Sequence, residues 1–234
     1  MADDDSLIRR QIEYYRERAH EYDEWFFRKG RYDRGDENRR QWFAEVETVR
    51  EALKSSNPGG SILELACGTG LWTVHLAPHA TRFVAVDTSL EAIEINRKRV
   101  VDSRIDYIEA DLFSWNTSDK FDFIFFGFWL SHVPLSRFNR FWEFVAERLL
   151  PHGKAFFVDS LFTRESTAQD HADIDRSGIV RRKLNDGREF EIFKQFYEPE
   201  KLMSRLEALG WQGYVQATQH FFLCGCLSPS SNSA

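Results

Sequence analysis

The sequence predicts an α/β fold: a mostly parallel sheet with helices on both faces. Three observations predict it. Short apolar runs alternate with segments whose apolar residues recur every three to four positions, as strands alternating with helices do. Phe121 to Phe126 is almost continuously apolar, which suits a strand buried on both faces. The stretch Ile62-Leu63-Glu64-Leu65-Ala66-Cys67-Gly68-Thr69-Gly70 reads as a buried strand running into a glycine-rich turn before a helix. Such a turn brings backbone N–H groups to a ligand at a helix N-terminus. A phosphate loop would continue Gly-Lys-Ser/Thr, but Gly70-Leu71-Trp72 stands here. A dinucleotide fingerprint would have a third glycine where Thr73 stands.

In chain order, residues 1–5 are expected to be disordered. Ile8, Ile12, Tyr15, Ala19, Tyr22 and Phe26 then form a helical stripe, followed by the aromatic cluster Trp25, Phe26, Tyr32. A second helix runs from about Glu37 to Lys54 and ends at Pro58-Gly59-Gly60. Strand two, Arg82 to Asp87, ends in a carboxylate placed to accept ribose hydroxyls. Strand three is Ile105 to Glu109, strand four Phe121 to Phe126, and strand five Lys154 to Ser160. Phe162 to Gly178 reads as irregular. A hairpin follows, turning at Asn185-Asp186-Gly187. A helix opening at Pro199 and strands at Trp211 to Thr218 and Phe221 to Leu227 complete the pattern.

Glu64 to Gly70 resembles the first motif of class I S-adenosylmethionine-dependent methyltransferases, with Ala66 in place of the usual first glycine. Tyr14 to Asp23 resembles the N-terminal lid of menaquinone-type small-molecule members. The resemblance covers about residues 14 to 227. It implies a Rossmann-like seven-stranded sheet, with S-adenosylmethionine as cofactor and S-adenosylhomocysteine as product. It also implies lid helices over 1–57, a core over 58–227, an insertion at 162–197 over the acceptor and a disordered tail at 228–234. Tyr15 and Tyr22 would approach the methionine part, Glu64, Ala66, Gly68, Gly70 and Trp72 would form the loop, and Asp87 with Thr88 would hold the ribose. Asp111 and Leu112 would hold adenine, and Phe128 would complete the site. His132 after strand four and Asp159 at the end of strand five resemble the base pair of sugar O-methyltransferases. Trp25, Phe26, Tyr32, Trp129 and His171 are the expected acceptor contacts.

The expected reaction is methyl transfer to a small-molecule acceptor, with a hydroxyl oxygen preferred. The alternatives are transfer to carbon, nitrogen or a carboxylate, or a non-catalytic cofactor-binding module. A net charge of −6 argues against nucleic acid as partner. No apolar run approaches a membrane span and no signal start is present, so a cytoplasmic monomer or homodimer is expected. Cys67, Cys224 and Cys226 form neither a disulfide framework nor a zinc set. No metal site is expected: the Asp170 to Asp175 patch reads as a solvated loop that could at most take Mg²⁺.

Overall fold

The apolar runs pair into one seven-stranded sheet, seen in a computed structural model that describes residues 2–171 and 178–230. The chain enters through helices α1 (Ala2–Arg18), α2 (Tyr22–Phe26) and α3 (Asp36–Ser55). It then alternates β1 (Gly60–Leu65), α4 (Thr73–Leu76), β2 (Ala80–Asp87), α5 (Leu90–Arg99), β3 (Ile105–Glu109), β4 (Phe121–Gly127), α6 (Phe138–Arg148) and β5 (Leu149–Ser160). The hairpin β6 (Ile179–Lys183) and β7 (Glu189–Phe193) follows, then α7 (Pro199–Ala208), β8 (Trp211–Ala217) and β9 (Phe222–Pro229). The sheet order is β3-β2-β1-β4-β5-β9-β8, with β1 to β5 parallel and β8 and β9 antiparallel. The crossovers leave β1 in opposite directions, so a crevice opens at the C-terminal ends of β1 and β4, where ligands bind in sheets of this kind.

Alternation along each strand sorts the core into two layers. Ile62, Phe123, Phe125 and Phe156 pack under α3 with Trp42, Val46 and Val49. Leu63, Leu65, Ile124, Phe126 and Phe157 pack under α6 and α7 with Trp142 and Leu206. A third, small cluster joins Tyr14 of α1 to Val180, Leu184 and Ile192 of the hairpin.

Four expectations change. Residues 2–5 belong to α1, because the helix continues to its first described residue. The single stripe is carried by two helices, broken between Arg18 and Tyr22. Trp25, Phe26, Tyr32 and the apolar face of α3 are part of the main core, so much of the segment expected as a lid is a structural layer. Strand β9 extends to Pro229, which pairs with Trp211, so the tail begins later than 228; residues 231–234 lie outside the described residues.

Candidate active site

The glycine turn is held from below. Asn96, fully buried on α5, donates to the carbonyls of Cys67 and Gly68 and to Thr73 Oγ1 at 2.9 Å. Gly70 has φ +87°, and a Cβ there would stand 2.5 Å from Asn96 Oδ1, so the turn needs glycine on both counts. Ala66 also has a left-handed φ, +54°, the conformation that glycine adopts most readily. Thr73 Oγ1 donates to Glu64 Oε2 at 2.6 Å, and burial lifts the Glu64 carboxyl to about 8.

The Asp87 carboxylate accepts from the Gly68 N–H at 2.8 Å and the Ser89 N–H at 2.9 Å, which joins the tip of β2 to the turn. Burial raises its pKa, and these backbone donors oppose the rise. Helix α1 closes over this edge: Arg16 Nε donates to the Thr88 carbonyl at 3.0 Å. Asp23 of α2 accepts from Thr69 Oγ1 at 2.7 Å and pairs with Arg99.

Two cavities result. The first is lined by Ala66, Gly68, Asp87, Thr88, Asp111 and Leu112 below and by Tyr15 and Tyr22 above. Trp129, expected at the acceptor, lines this cavity instead. Glu64 and Trp72 do not reach it; they line a smaller adjoining hollow under the turn. Gly70 lines neither, its role being the close approach to Asn96. The second cavity takes in Trp25, Tyr32 and His171, three of the residues expected to contact the acceptor. Phe26, expected there too, lies in the core at 1% exposure. Tyr15, Tyr22, Phe128 and His132 line both cavities and so mark their junction.

His132 stands at that junction without Asp159. Its Nδ1 lies 2.7 Å from the Phe193 carbonyl and its Nε2 lies 2.7 Å from the Tyr15 hydroxyl. A carbonyl only accepts, so Nδ1 carries the proton; burial and Lys194 hold the ring well below its ordinary pKa, and it is neutral. Burial raises the Tyr15 pKa, so its hydroxyl keeps its proton and donates it to Nε2. Asp159 instead accepts from the backbone N–H groups of Ser131 and Ser160 and pairs with Lys194 at 3.3 Å. The expected His132–Asp159 pair is therefore not formed: strand order brings the residues near one another, but the hairpin inserts Lys194 and a carbonyl between them.

The second cavity is cationic, which the sequence reading missed. Arg18, Arg182 and Lys194 line it at 8–9% exposure, and no carboxylate is among its described lining residues. Among the described residues, neither Arg18 nor Arg182 has a carboxylate partner. Arg18 donates to the Tyr32 hydroxyl at 3.2 Å and lies over the rings of Tyr14, Tyr22 and Tyr32. Among the described residues, the fully buried Tyr14 hydroxyl and His171 Nδ1 have no hydrogen-bond partner. Burial among cations lowers His171 to about 3, so its ring is neutral, and Nε2 receives Arg31 and the Lys183 N–H. Nδ1 is then a donor. One signal was available in the sequence. Alternation puts Arg182 on the same strand face as Val180 and Leu184, an arginine on an apolar face.

A model described as a methyltransferase domain matches residues 62–153. Over 97% of its length this chain is similar to a solved structure titled "DhpI-SAH complex structure", at 36% identity and a TM-score of 0.78, covering 98% of that chain. A second structure, "DhpI-SAM-HEP complex", is 37% identical with the same TM-score, over 95% of this chain and 98% of that one. Nodulation protein S of Rhizobium tropici is 31% identical over 71 residues, only 30% of this chain and 30% of that protein. The cypemycin N-terminal methyltransferase of a Streptomyces species is 32% identical over 66 residues, 28% of this chain and 27% of that protein.

Proposed function

This chain belongs to the class I S-adenosylmethionine-dependent methyltransferases, and we propose that it moves the methyl group to an oxygen of a small acidic acceptor. The observation that carries this reading is the pair Arg18 and Arg182, buried at the second cavity with no carboxylate partner among the described residues. Burying a charge is costly unless an opposite charge or hydrogen bonds compensate it. An oxyanion on the acceptor would supply that compensation, with the Tyr14 hydroxyl and His171 Nδ1 as further donors.

The first cavity suits the cofactor. In this reading Asp87 receives the ribose hydroxyls, Asp111 and Leu112 meet the adenine, the turn at Ala66 to Gly68 approaches the amino-acid part, and Tyr15, Tyr22 and Phe128 enclose the reacting end. The cofactor supplies a methyl group on a positively charged sulfur. The chain's own residues orient the acceptor oxygen across the junction and exclude water with an aromatic wall of Tyr15, Tyr22, Trp25 and Phe128. An acceptor oxygen that is already ionised needs no base, so His132 acts as a neutral, Tyr15-bonded wall of the junction. The insertion over 162–197 contributes His171, Arg182 and Lys194 to the acceptor cavity.

Transfer to nitrogen, at a chain terminus such as the cypemycin relative's name points to or elsewhere, fits less well. An amine is protonated at neutral pH and would face Arg18, Arg182 and Lys194. The test is a screen with methyl-labelled cofactor against small carboxylates, phosphates, phosphonates and sulfonates, beside amines and neutral polyols. Label in an O-methyl ester of an acid is expected. Transfer confined to amines or neutral hydroxyls would overturn the reading.

A further inference from the structure

Gln11 lies on α1 between apolar neighbours, and its side chain is 2% exposed. A primary amide in such a place is costly unless both ends are bonded. Both are. Its Oε1 accepts from the Phe193 N–H at 3.2 Å, and its Nε2 donates to the His132 carbonyl at 3.2 Å. The partners dictate the orientation, since the first can only donate and the second only accept.

Phe193 and His132 are thereby joined twice. One link runs through the Gln11 amide, and the other from the Phe193 carbonyl to His132 Nδ1 at 2.7 Å. The next bond along, from the Gln195 N–H to the Ser131 carbonyl at 2.7 Å, is direct. Gln11 thus bridges the end of β7 and the turn at Leu130–His132 through its amide. It sets the separation at which the Phe193 carbonyl meets the imidazole.

We infer that Gln11 is a positioning residue for methyl transfer: it places the Phe193 carbonyl on His132 Nδ1, so that Nε2 presents its lone pair to the Tyr15 hydroxyl at the junction of the two cavities. It lines the first cavity and acts through His132 and Tyr15. The same clamp ties α1 to the hairpin that carries Arg182 and Lys194.

The test is nitrogen-15 NMR of the His132 ring in the full chain with S-adenosylhomocysteine at pH 7.5. It needs no acceptor, so its failure is distinct from failure of the acidic-acceptor reading. The wild type is expected to show one neutral tautomer with the proton on Nδ1. Gln11→Met and the smaller Gln11→Ala are expected to give a tautomer mixture and at least 10-fold faster exchange of the Phe193 amide. Gln11→Glu keeps an oxygen for the Phe193 N–H but loses the donor to the His132 carbonyl, and is expected to give a tautomer mixture as well. A wild-type ring protonated on Nε2 would overturn the inference, as would an unchanged Nδ1 tautomer in any folded Met or Ala variant.

Discussion

The Tyr15 hydroxyl stands 2.7 Å from His132 Nε2, so the imidazole lone pair that would take an acceptor's proton is already engaged. Burial and Lys194 also hold His132 well below 6.5, which keeps the ring neutral through physiological pH. With an ionised acceptor, kcat is expected to stay flat from about pH 6 to 8. Tyr15→Phe is expected to lower kcat by less than about 10-fold, the worth of one hydrogen bond. A rate that falls below a midpoint near 6.5, and no longer does so in His132→Asn, would instead establish His132 as a base reached through Tyr15.

Arg18 and Arg182 should matter for the acceptor and not for the cofactor. A hydrogen bond to a charged group is worth about 1.5–3 kcal/mol. Arg182→Met and Arg18→Met are each expected to raise KM for the acidic acceptor by roughly 10- to 150-fold. Calorimetry with S-adenosylhomocysteine should give an affinity within about twofold of wild type. An unchanged KM in both variants would remove the basis for an anionic acceptor.

Asp87 has two duties that one substitution will expose together. Its carboxylate holds the Gly68 and Ser89 N–H groups and lines the first cavity. Asp87→Ala is expected to weaken S-adenosylhomocysteine binding by about 1.5–3 kcal/mol, read by calorimetry. Denaturant unfolding of the cofactor-free protein should show a loss of about 1–3 kcal/mol from the orphaned donors. Loss of stability with intact affinity would leave Asp87 a purely structural residue.

Glu64 offers a pH test of the fold. Its pKa is raised from 4.5 to about 8, so the folded protein holds a proton that the unfolded chain releases. The stability this contributes is full below about pH 4.5 and is lost as pH rises through about 8. Gln keeps the shape without the titration. The melting temperature of Glu64→Gln, relative to wild type, should therefore climb from pH 5 to pH 8, by about 2–4 °C for each kcal/mol. A difference that does not change with pH would show that Glu64 is ionised in the folded protein.

The site divides into parts that local pattern reveals and parts that it does not. Ala66, Gly68, Asp87 and Asp111 follow strand ends, and strand ends in a parallel sheet meet at one edge, so order along the chain was enough to group them. Asp159 was grouped with His132 by the same logic and wrongly, because adjacency of strands does not say which side chains pair. Phe26 was misplaced for a related reason: an aromatic residue's type does not say whether it faces a cavity or the core. Arg18, Lys194 and Gln11 were missed because each looks like a solvated polar residue until its neighbours are known.

By itself, then, the sequence determined the alternating elements, the doubly covered sheet and the glycine turn with the carboxylates beside it. These follow from periodicity and from backbone conformations that few residues tolerate. The tertiary structure alone decided the partner of His132, the pairing of Asp159 with Lys194 and the charge of the second cavity. Those depend on α1 and the β6–β7 hairpin packing together across more than 160 residues of intervening chain, around Tyr14, Val180 and Ile192. That contact helps remove Arg18, Arg182 and Lys194 from water, and burial is what turns three ordinary surface cations into the cationic lining that the proposed acidic acceptor would complement.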